Sequence, residues 1–204
     1  MVELRPRTWG SSVLLGRNPR SLLRTSDGDW ATTDGGTPTT HILKPVAGDY
    51  RRIDIVEHMT MRAAEMMGLS VASTSLDSFD GVRTFVATRY DREYVDGLWR
   101  RLHQEDLGQS LAVPPAKKYQ RLDGGPGVAD VARLFRGLSR PRDRSSAAWA
   151  FYQGLMFNTV LECTDAHIKN YAVMLSGNAV TLAPLYDLAT FAPIGRPMAR
   201  RAPR

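Results

Sequence analysis

A chain of 204 residues with 43% hydrophobic and 24% charged residues has enough apolar content for one large domain or two small lobes. Its net charge of +6 leaves room for an anionic partner. However, Arg196, Arg200, Arg201 and Arg204 crowd an acid-free C-terminal stretch, and without them the excess falls to about +2. No run approaches the ~20 apolar residues of a membrane span, and no apolar signal core follows Met1–Arg7. The single cysteine, Cys163, excludes a disulfide within the chain, so a cytoplasmic setting is expected.

In chain order, Ser12 to Leu15 is a short apolar run, Gly16-Arg17-Asn18-Pro19-Arg20 a turn, and Ser21 to Thr25 a returning strand closed by Asp27-Gly28-Asp29. A turn at Gly35 to Pro38 leads into Thr39–Lys44, rich in β-branched residues and ended by Pro45. Ile53 to Leu69 reads as a helix with Ile55, Met59, Ala63 and Met66 on one face, its methionines filling core and Gly68 as its C-cap. Leu76–Phe79 and Thr84–Thr88 are strands joined at Asp80-Gly81. Strands, one helix and more strands suit a small antiparallel sheet with a helix packed on it.

A boundary near Arg92 to Leu98 divides the chain into residues 1–94, 95–195 and a basic tail, 196–204. A nucleotide site is expected between the two lobes. Beyond the boundary, Gln104-Glu105-Asp106-Leu107 opens a helical stretch, Leu122 to Gly127 is a loop, and Val128 to Leu138 an amphipathic helix. Ser139 to Ser146 is charged and expected to be exposed. Ala147 to Cys163 is a long helix, largely buried because Phe151, Leu155, Met156, Thr159 and Val160 cover most of its faces. Tyr171–Leu175 and Ala179–Leu185 form a hairpin about Ser176-Gly177-Asn178.

The chemistry concentrates at Cys163-Thr164-Asp165-Ala166-His167-Ile168-Lys169-Asn170 and Pro184-Leu185-Tyr186-Asp187. An Asp, an Asn five residues later and a second Asp after an apolar run have the layout of a phosphoryl-transfer centre. Asp165 can accept the proton of an attacking hydroxyl, while Asn170 and Asp187 offer the oxygen ligands that Mg²⁺ requires. The hairpin explains the spacing, since one strand begins just after Asn170 and its partner delivers Asp187. Lys169 can neutralise a transferring phosphoryl group or simply be solvated. His167 can act as a base, although a structural bond to the backbone near Asp187 is preferred. Lys44 ends a strand and can meet α- and β-phosphates, with Glu57 on the next helix holding it in place. Cys163 is read as a small packing residue under the loop, with a catalytic or redox role as the alternative.

Thr37 to Lys44, Arg89-Tyr90-Asp91-Arg92, His103-Gln104-Glu105-Asp106, Lys118-Tyr119, Gly124-Gly125-Pro126-Gly127, Thr164 to Asn170 and Pro184 to Asp187 resemble, in order, the motifs of HipA-type serine/threonine kinases, the toxins of bacterial type II toxin–antitoxin modules. The resemblance runs from about Ser11 to Gly195. It implies an α+β, two-lobed, protein-kinase-like fold that uses ATP and Mg²⁺. It also implies Asp165 as catalytic base, Asn170 and Asp187 as metal ligands and Lys44 as the ATP-contacting lysine. The strand Phe85 to Thr88 would line the adenine, with Ala87, Thr88 and Tyr90 beside it. Gly16, Asn18 and Arg20 would form the phosphate loop, with His167 also near the nucleotide. The family precedent for a protein substrate is glutamyl-tRNA synthetase, and its usual partner is a DNA-binding antitoxin.

Three departures stand out. Asn18 and Arg20 replace the Gln and Lys of the family's Gly-x-Gln-x-Lys loop. Val13 stands where some members carry a phosphorylatable serine. The family's N-terminal subdomain and its helices after Gly195 are not matched, so the chain reads as truncated at both ends. Two further readings stand beside the kinase: an inactive remnant that binds antitoxin or ATP only, and a basic nucleic-acid-binding domain, for which the sequence offers only the tail.

Overall fold

The computed structural model describes residues 20–191, apart from 26, 34–35, 47–51 and 80. The expected strand over Ser12–Leu15, the turn at Gly16–Pro19 and the tail lie outside the described residues. The first part of the chain builds a five-stranded antiparallel sheet from β1 (Arg20–Arg24), β2 (Trp30–Ala31), β3 (His41–Pro45), β4 (Thr74–Phe79) and β5 (Val82–Thr88), in the order β2-β1-β3-β5-β4. Alternation along β3 sends successive side chains to opposite faces. Leu43 packs with Leu22 and Val86 in one small core, while Lys44 falls on the other face, opposite Phe85.

Helix α1 (Ile53–Met66) covers that second face. Its inward stripe is Asp54, Glu57, Thr60, Met61 and Ala64, not the predicted Ile55-Met59-Ala63-Met66 row. Met59 and Met66 are exposed and fill no core. The two acids are buried because the sheet presents cations to them: Arg83 grips Asp54 and Lys44 meets Glu57. Gly68 closes the helix at φ +81°, a conformation that favours glycine.

The predicted boundary region is a hairpin, β6 (Arg92–Val95) and β7 (Leu98–Arg101), turning at Asp96-Gly97 with both residues at positive φ. Residues 104–106 do not open a helix. They belong to β8 (His103–Asp106), because Asp106 stays extended to cap α2 (Leu107–Ser110), accepting from the Gln109 amide at 2.8 Å. A 3₁₀ turn at Pro115–Lys117, α3 (Gln120–Asp123) and α4 (Val128–Arg136) follow, so part of the predicted 122–127 loop is the end of α3.

Helix α5 (Pro141–Val160) starts earlier than predicted, with proline in its first turn. The Ser139–Ser146 segment is therefore not all exposed: Asp143 is buried and its carboxylate accepts from the Val180 amide at 2.9 Å. Val180 lies on β10 (Ala179–Leu182), which pairs with β9 (Ala172–Ser176), and β9 pairs with β8. Nor is α5 buried all round. Ala147, Phe151, Gly154 and Phe157 face the core, while Trp149, Tyr152, Met156 and Val160 are exposed. The larger core joins these residues to Val131, Phe135 and Leu185, and to Met61 and Ala64 of α1. No helix among the described residues is long and apolar enough to cross a membrane.

Asp143→Ala strands the Val180 N–H. The expected cost is about 1–3 kcal/mol, seen as a lower urea midpoint at unchanged slope.

Candidate active site

The strand before Asp187 ends at Leu182, short of the predicted Leu185. The chain stays extended, however. The Leu185 amide donates to Ser70 O at 2.8 Å, and Ala72 N donates back to Leu185 O at 2.9 Å. This bridge to Val71, two residues ahead of Asp187, fixes where that residue emerges. Asp187 sits at φ +59°, a strained setting for a non-glycine residue that often marks a functional position.

Asn170 ends a 3₁₀ turn (Ile168–Asn170) and is buried. Its amide donates to Asp187 Oδ2 at 3.3 Å and to Asp165 O at 3.4 Å. Lys44 Nζ donates to Glu57 at 2.7 Å and also bonds Asp187. One ammonium is thus shared by two carboxylates. Burial works against its charge, but Glu57 and Asp187 outweigh that and hold Lys44 above the ordinary lysine value. Glu57, the more enclosed acid, carries the desolvation cost, and burial pushes it up to about 7 despite the attraction of Lys44.

Asp165 is exposed, and its Oδ1 accepts from the Tyr119 hydroxyl at 2.6 Å. That bond, more than burial, drives the Tyr119 phenol up to about 12. Lys169 is not a solvated lysine: it forms a 2.6 Å ion pair with Asp106. His167 makes no backbone bond at Nδ1, which is buried without a hydrogen-bond partner among the described residues. The tie it was expected to make is supplied by Tyr186, whose hydroxyl donates to Lys169 O at 2.7 Å. Cys163 is buried, which raises its thiol to about 11. A thiol so hard to ionise suits packing rather than nucleophilic chemistry.

Ala87, Thr88 and Tyr90 line one cleft of about 270 Å³ with Ile42, Ala172 and Tyr186. Ile42 lies two residues before Lys44 and Tyr186 one before Asp187, while Glu57, Asp165, Asn170 and Asp187 themselves line a second, smaller cavity of about 140 Å³. The Tyr90 hydroxyl donates to Gln104 at 2.6 Å, and its ring lies 5.9 Å from that of Tyr186. Beneath it, Asp91 is buried between Arg89 and Arg92. Burial opposes its charge, yet the two guanidiniums hold it below the usual carboxylate range. Gly16 and Asn18 lie outside the described residues, and Arg20 is described only as the opening of β1. Tyr119, Asp106 and Asp91 stand in the motifs that carry the resemblance, but the sequence assigns none of them a role or a partner; the structure pairs them with Asp165, Lys169 and the two flanking arginines. The available signals were the Tyr119 position just before a glycine-rich turn and the Arg-x-Asp-Arg clustering.

The geometry is that of a kinase-like module: a β-sheet with a lysine–glutamate pair, a cleft, and Asp165, Asn170 and Asp187 gathered with Glu57 around a cavity of their own. The chain belongs to the HipA-like C-terminal domain family, whose profile matches residues 13–202. It is 37% identical over 177 residues to a Sinorhizobium fredii protein named "Putative kinase Y4mE", covering 86% of this chain and 41% of that one. It is 30% identical over 184 residues to the serine/threonine-protein kinase toxin HipA of Shewanella oneidensis, covering 86% and 42%. Among solved structures, HipA of Shewanella oneidensis in complex with HipB and operator DNA superposes with a TM-score of 0.74 at 27% identity, over 92% of this chain and 47% of that one. The Helicobacter pylori proinflammatory kinase CtkA shares the fold at a TM-score of 0.56 and 13% identity, over 76% and 53%. The chain therefore spans less than half the length of the curated relatives it matches.

Proposed function

We propose that this chain is an ATP-dependent serine/threonine protein kinase module of the HipA type, acting as the toxin of a toxin–antitoxin pair. The carrying observation is that Lys44, Glu57, Asn170 and Asp187 form one connected cluster, with Asp165 tied to it through Asn170, beside an apolar cleft. Adenine fits the cleft against Ala87, Thr88 and Tyr90. Lys44, held by Glu57, would meet the phosphates, joined by Gly16, Asn18 and Arg20. Asp187 offers carboxylate oxygens, and Asn170 would add its amide oxygen once the side chain turns its N–H₂ away from Asp187; together they would hold Mg²⁺, which when bound supplies charge neutralisation of the phosphates. Lys44 then exchanges its bond to Asp187 for the phosphates and keeps the one to Glu57. Asp165 takes the proton of the attacking serine or threonine hydroxyl. Lys169 is oriented by Asp106, and His167 stands within the same loop near the phosphoryl group. The division into residues 1–94, 95–195 and 196–204 is the proposed one.

The partner is inferred from the HipA relative solved with HipB and operator DNA: an antitoxin protein rather than nucleic acid bound directly. The substrate is a protein hydroxyl, with glutamyl-tRNA synthetase as the family precedent, and the setting is cytoplasmic.

One observation favours a second reading, an inactive remnant that binds antitoxin or ATP only. The outer face of α5 exposes Trp149 (60%), Tyr152 (50%), Met156 (41%) and Val160 (70%), a stripe that isolated soluble domains seldom leave open. Incubation of the purified chain with γ-labelled ATP and Mg²⁺ separates the two. Transfer that disappears in Asp165→Asn supports the kinase, whereas nucleotide binding without transfer supports the remnant.

A further inference from the structure

The phenol bound to Asp165 has no part in the chemistry described so far. Tyr119 lies 46 residues before Asp165, yet its hydroxyl reaches Oδ1 at 2.6 Å. The surrounding segment is built to hold that ring. Tyr119 N donates to Asp123 Oδ2 at 3.1 Å, and Tyr119 O accepts from both Asp123 N and Gly125 N at 3.1 Å. Gly124 turns the chain at φ +65°, and a β-carbon at Gly125 would run into the Lys117 carbonyl oxygen. Only glycines let the Gly-Gly-Pro-Gly stretch fold back so closely under Lys117–Tyr119. The ring is then flanked by His167, edge-on with centroids 5.0 Å apart, and by the Lys118 ammonium 4.8 Å from its centre.

A carboxylate on an exposed loop turns readily about its last torsion. A donor anchored through both its own backbone N–H and C=O removes that freedom. Oδ1 is taken by the phenol, and Oδ2 receives no hydrogen bond among the described residues.

We propose that Tyr119 is the positioning residue of Asp165, held by the Gly124–Gly127 turn so that its hydroxyl fixes Oδ1 and leaves Oδ2 to accept the proton of the attacking hydroxyl. The proposal rests on the kinase reading of Asp165. The raised phenol supports it, because the hydroxyl keeps its proton and remains a donor at every physiological pH.

The test uses the 204-residue chain, with γ-labelled ATP and Mg²⁺, and label followed into casein, the chain itself and inorganic phosphate. The variants are Tyr119→Phe, Gly125→Ala, their combination and Asp165→Asn. Tyr119→Phe is expected to lower kcat on the order of tenfold with KM for ATP unchanged. Gly125→Ala should act through the same bond, so the double variant loses no more than the worse single one. Separately, in ¹³Cζ-tyrosine-labelled chain, the Tyr119 resonance is expected to move on Asp165→Asn, because the charged acceptor is gone. An unchanged or higher kcat in Tyr119→Phe overturns the positioning role, as does equal loss of kcat and ATP affinity, which would mark a structural role. A Cζ signal indifferent to Asp165→Asn overturns the contact itself. Absent transfer in the parent chain, or full transfer in Asp165→Asn, overturns the kinase reading and the role with it, and is told apart because the Cζ signal does not depend on turnover.

Discussion

Asp165→Asn is expected to cut phosphoryl transfer by about 10³-fold or more while nucleotide affinity stays within a factor of about two. The substitution keeps shape and an oxygen for Tyr119 but removes the atom that can take a proton. Asp165 bonds neither Lys44 nor Asp187 directly; its link to the cluster is its backbone oxygen, bound by Asn170, which the substitution leaves in place. The metal-side and phosphate-side groups should therefore be undisturbed. Single-turnover transfer, with equilibrium binding of a fluorescent ATP analogue, measures both quantities on one preparation. Retained transfer would remove Asp165 from the role, and a parallel loss of binding would mean the loop had collapsed.

Lys44→Met is expected to lose transfer by about 10²–10³-fold and to change how stability depends on pH. In the fold Glu57 titrates near 7, against 4.5 when unfolded. Folding takes up a proton between those values, so the parent chain loses stability as pH rises through that window. Removing Lys44 deletes the attraction that keeps Glu57 from rising further and leaves Asp187 beside it. The decline then extends above neutrality. The variant should lie closest to the parent near pH 5, where Glu57 is protonated in both. It should fall behind by about 2–3 kcal/mol at pH 8, less than the ~3–5 kcal/mol of a fully buried broken pair because Lys44 is 29% exposed. Urea midpoints at the two pH values read this directly. A gap that is constant with pH would show that Glu57 is not the group responsible.

The contrast between what the sequence revealed and what it hid is physical. The Asp165–Asn170 spacing and the hairpin leading to Asp187 are visible because their neighbours lie within about one loop and one hairpin of chain. Lys44 and Glu57 are legible as a strand end followed by a helix, because the two are 13 residues apart. The pairing of Tyr119 with Asp165 is not, since 46 residues separate the two and no local period links them. The inward face of α1 is hidden because hydrophobic spacing cannot register acids that are buried by pairing with Lys44 and Arg83 on the sheet. The same blindness hid Asp143, which looks like part of a solvated charge run until β10 supplies an amide for it. Asp96-Gly97 carries an adequate turn signal, and the expected lobe boundary near Arg92 to Leu98 is a hairpin. Residues 104–106 read as helix because a capping residue and the strand before it share the same polar letters. The outer face of α5 is a different matter. Apolar residues on every side of a helix predict complete burial, and the described residues cover only one side.

Asp106 has a consequence of its own. One oxygen holds the Gln109 amide at the start of α2 and the other holds Lys169. Gly108 sits so close beneath that a β-carbon there would lie 2.9 Å from the same carboxylate. A helix of four residues cannot persist on its own hydrogen bonds, so α2 and the Lys169 side of the loop should open together as a single unit. Their amides should then share one hydrogen-exchange free energy, and Asp106→Ala should lower both by the same amount. The cleft wall and the phosphoryl-transfer loop would in that case behave as one cooperative element, set by a single carboxylate, although 63 residues of chain separate its two ends.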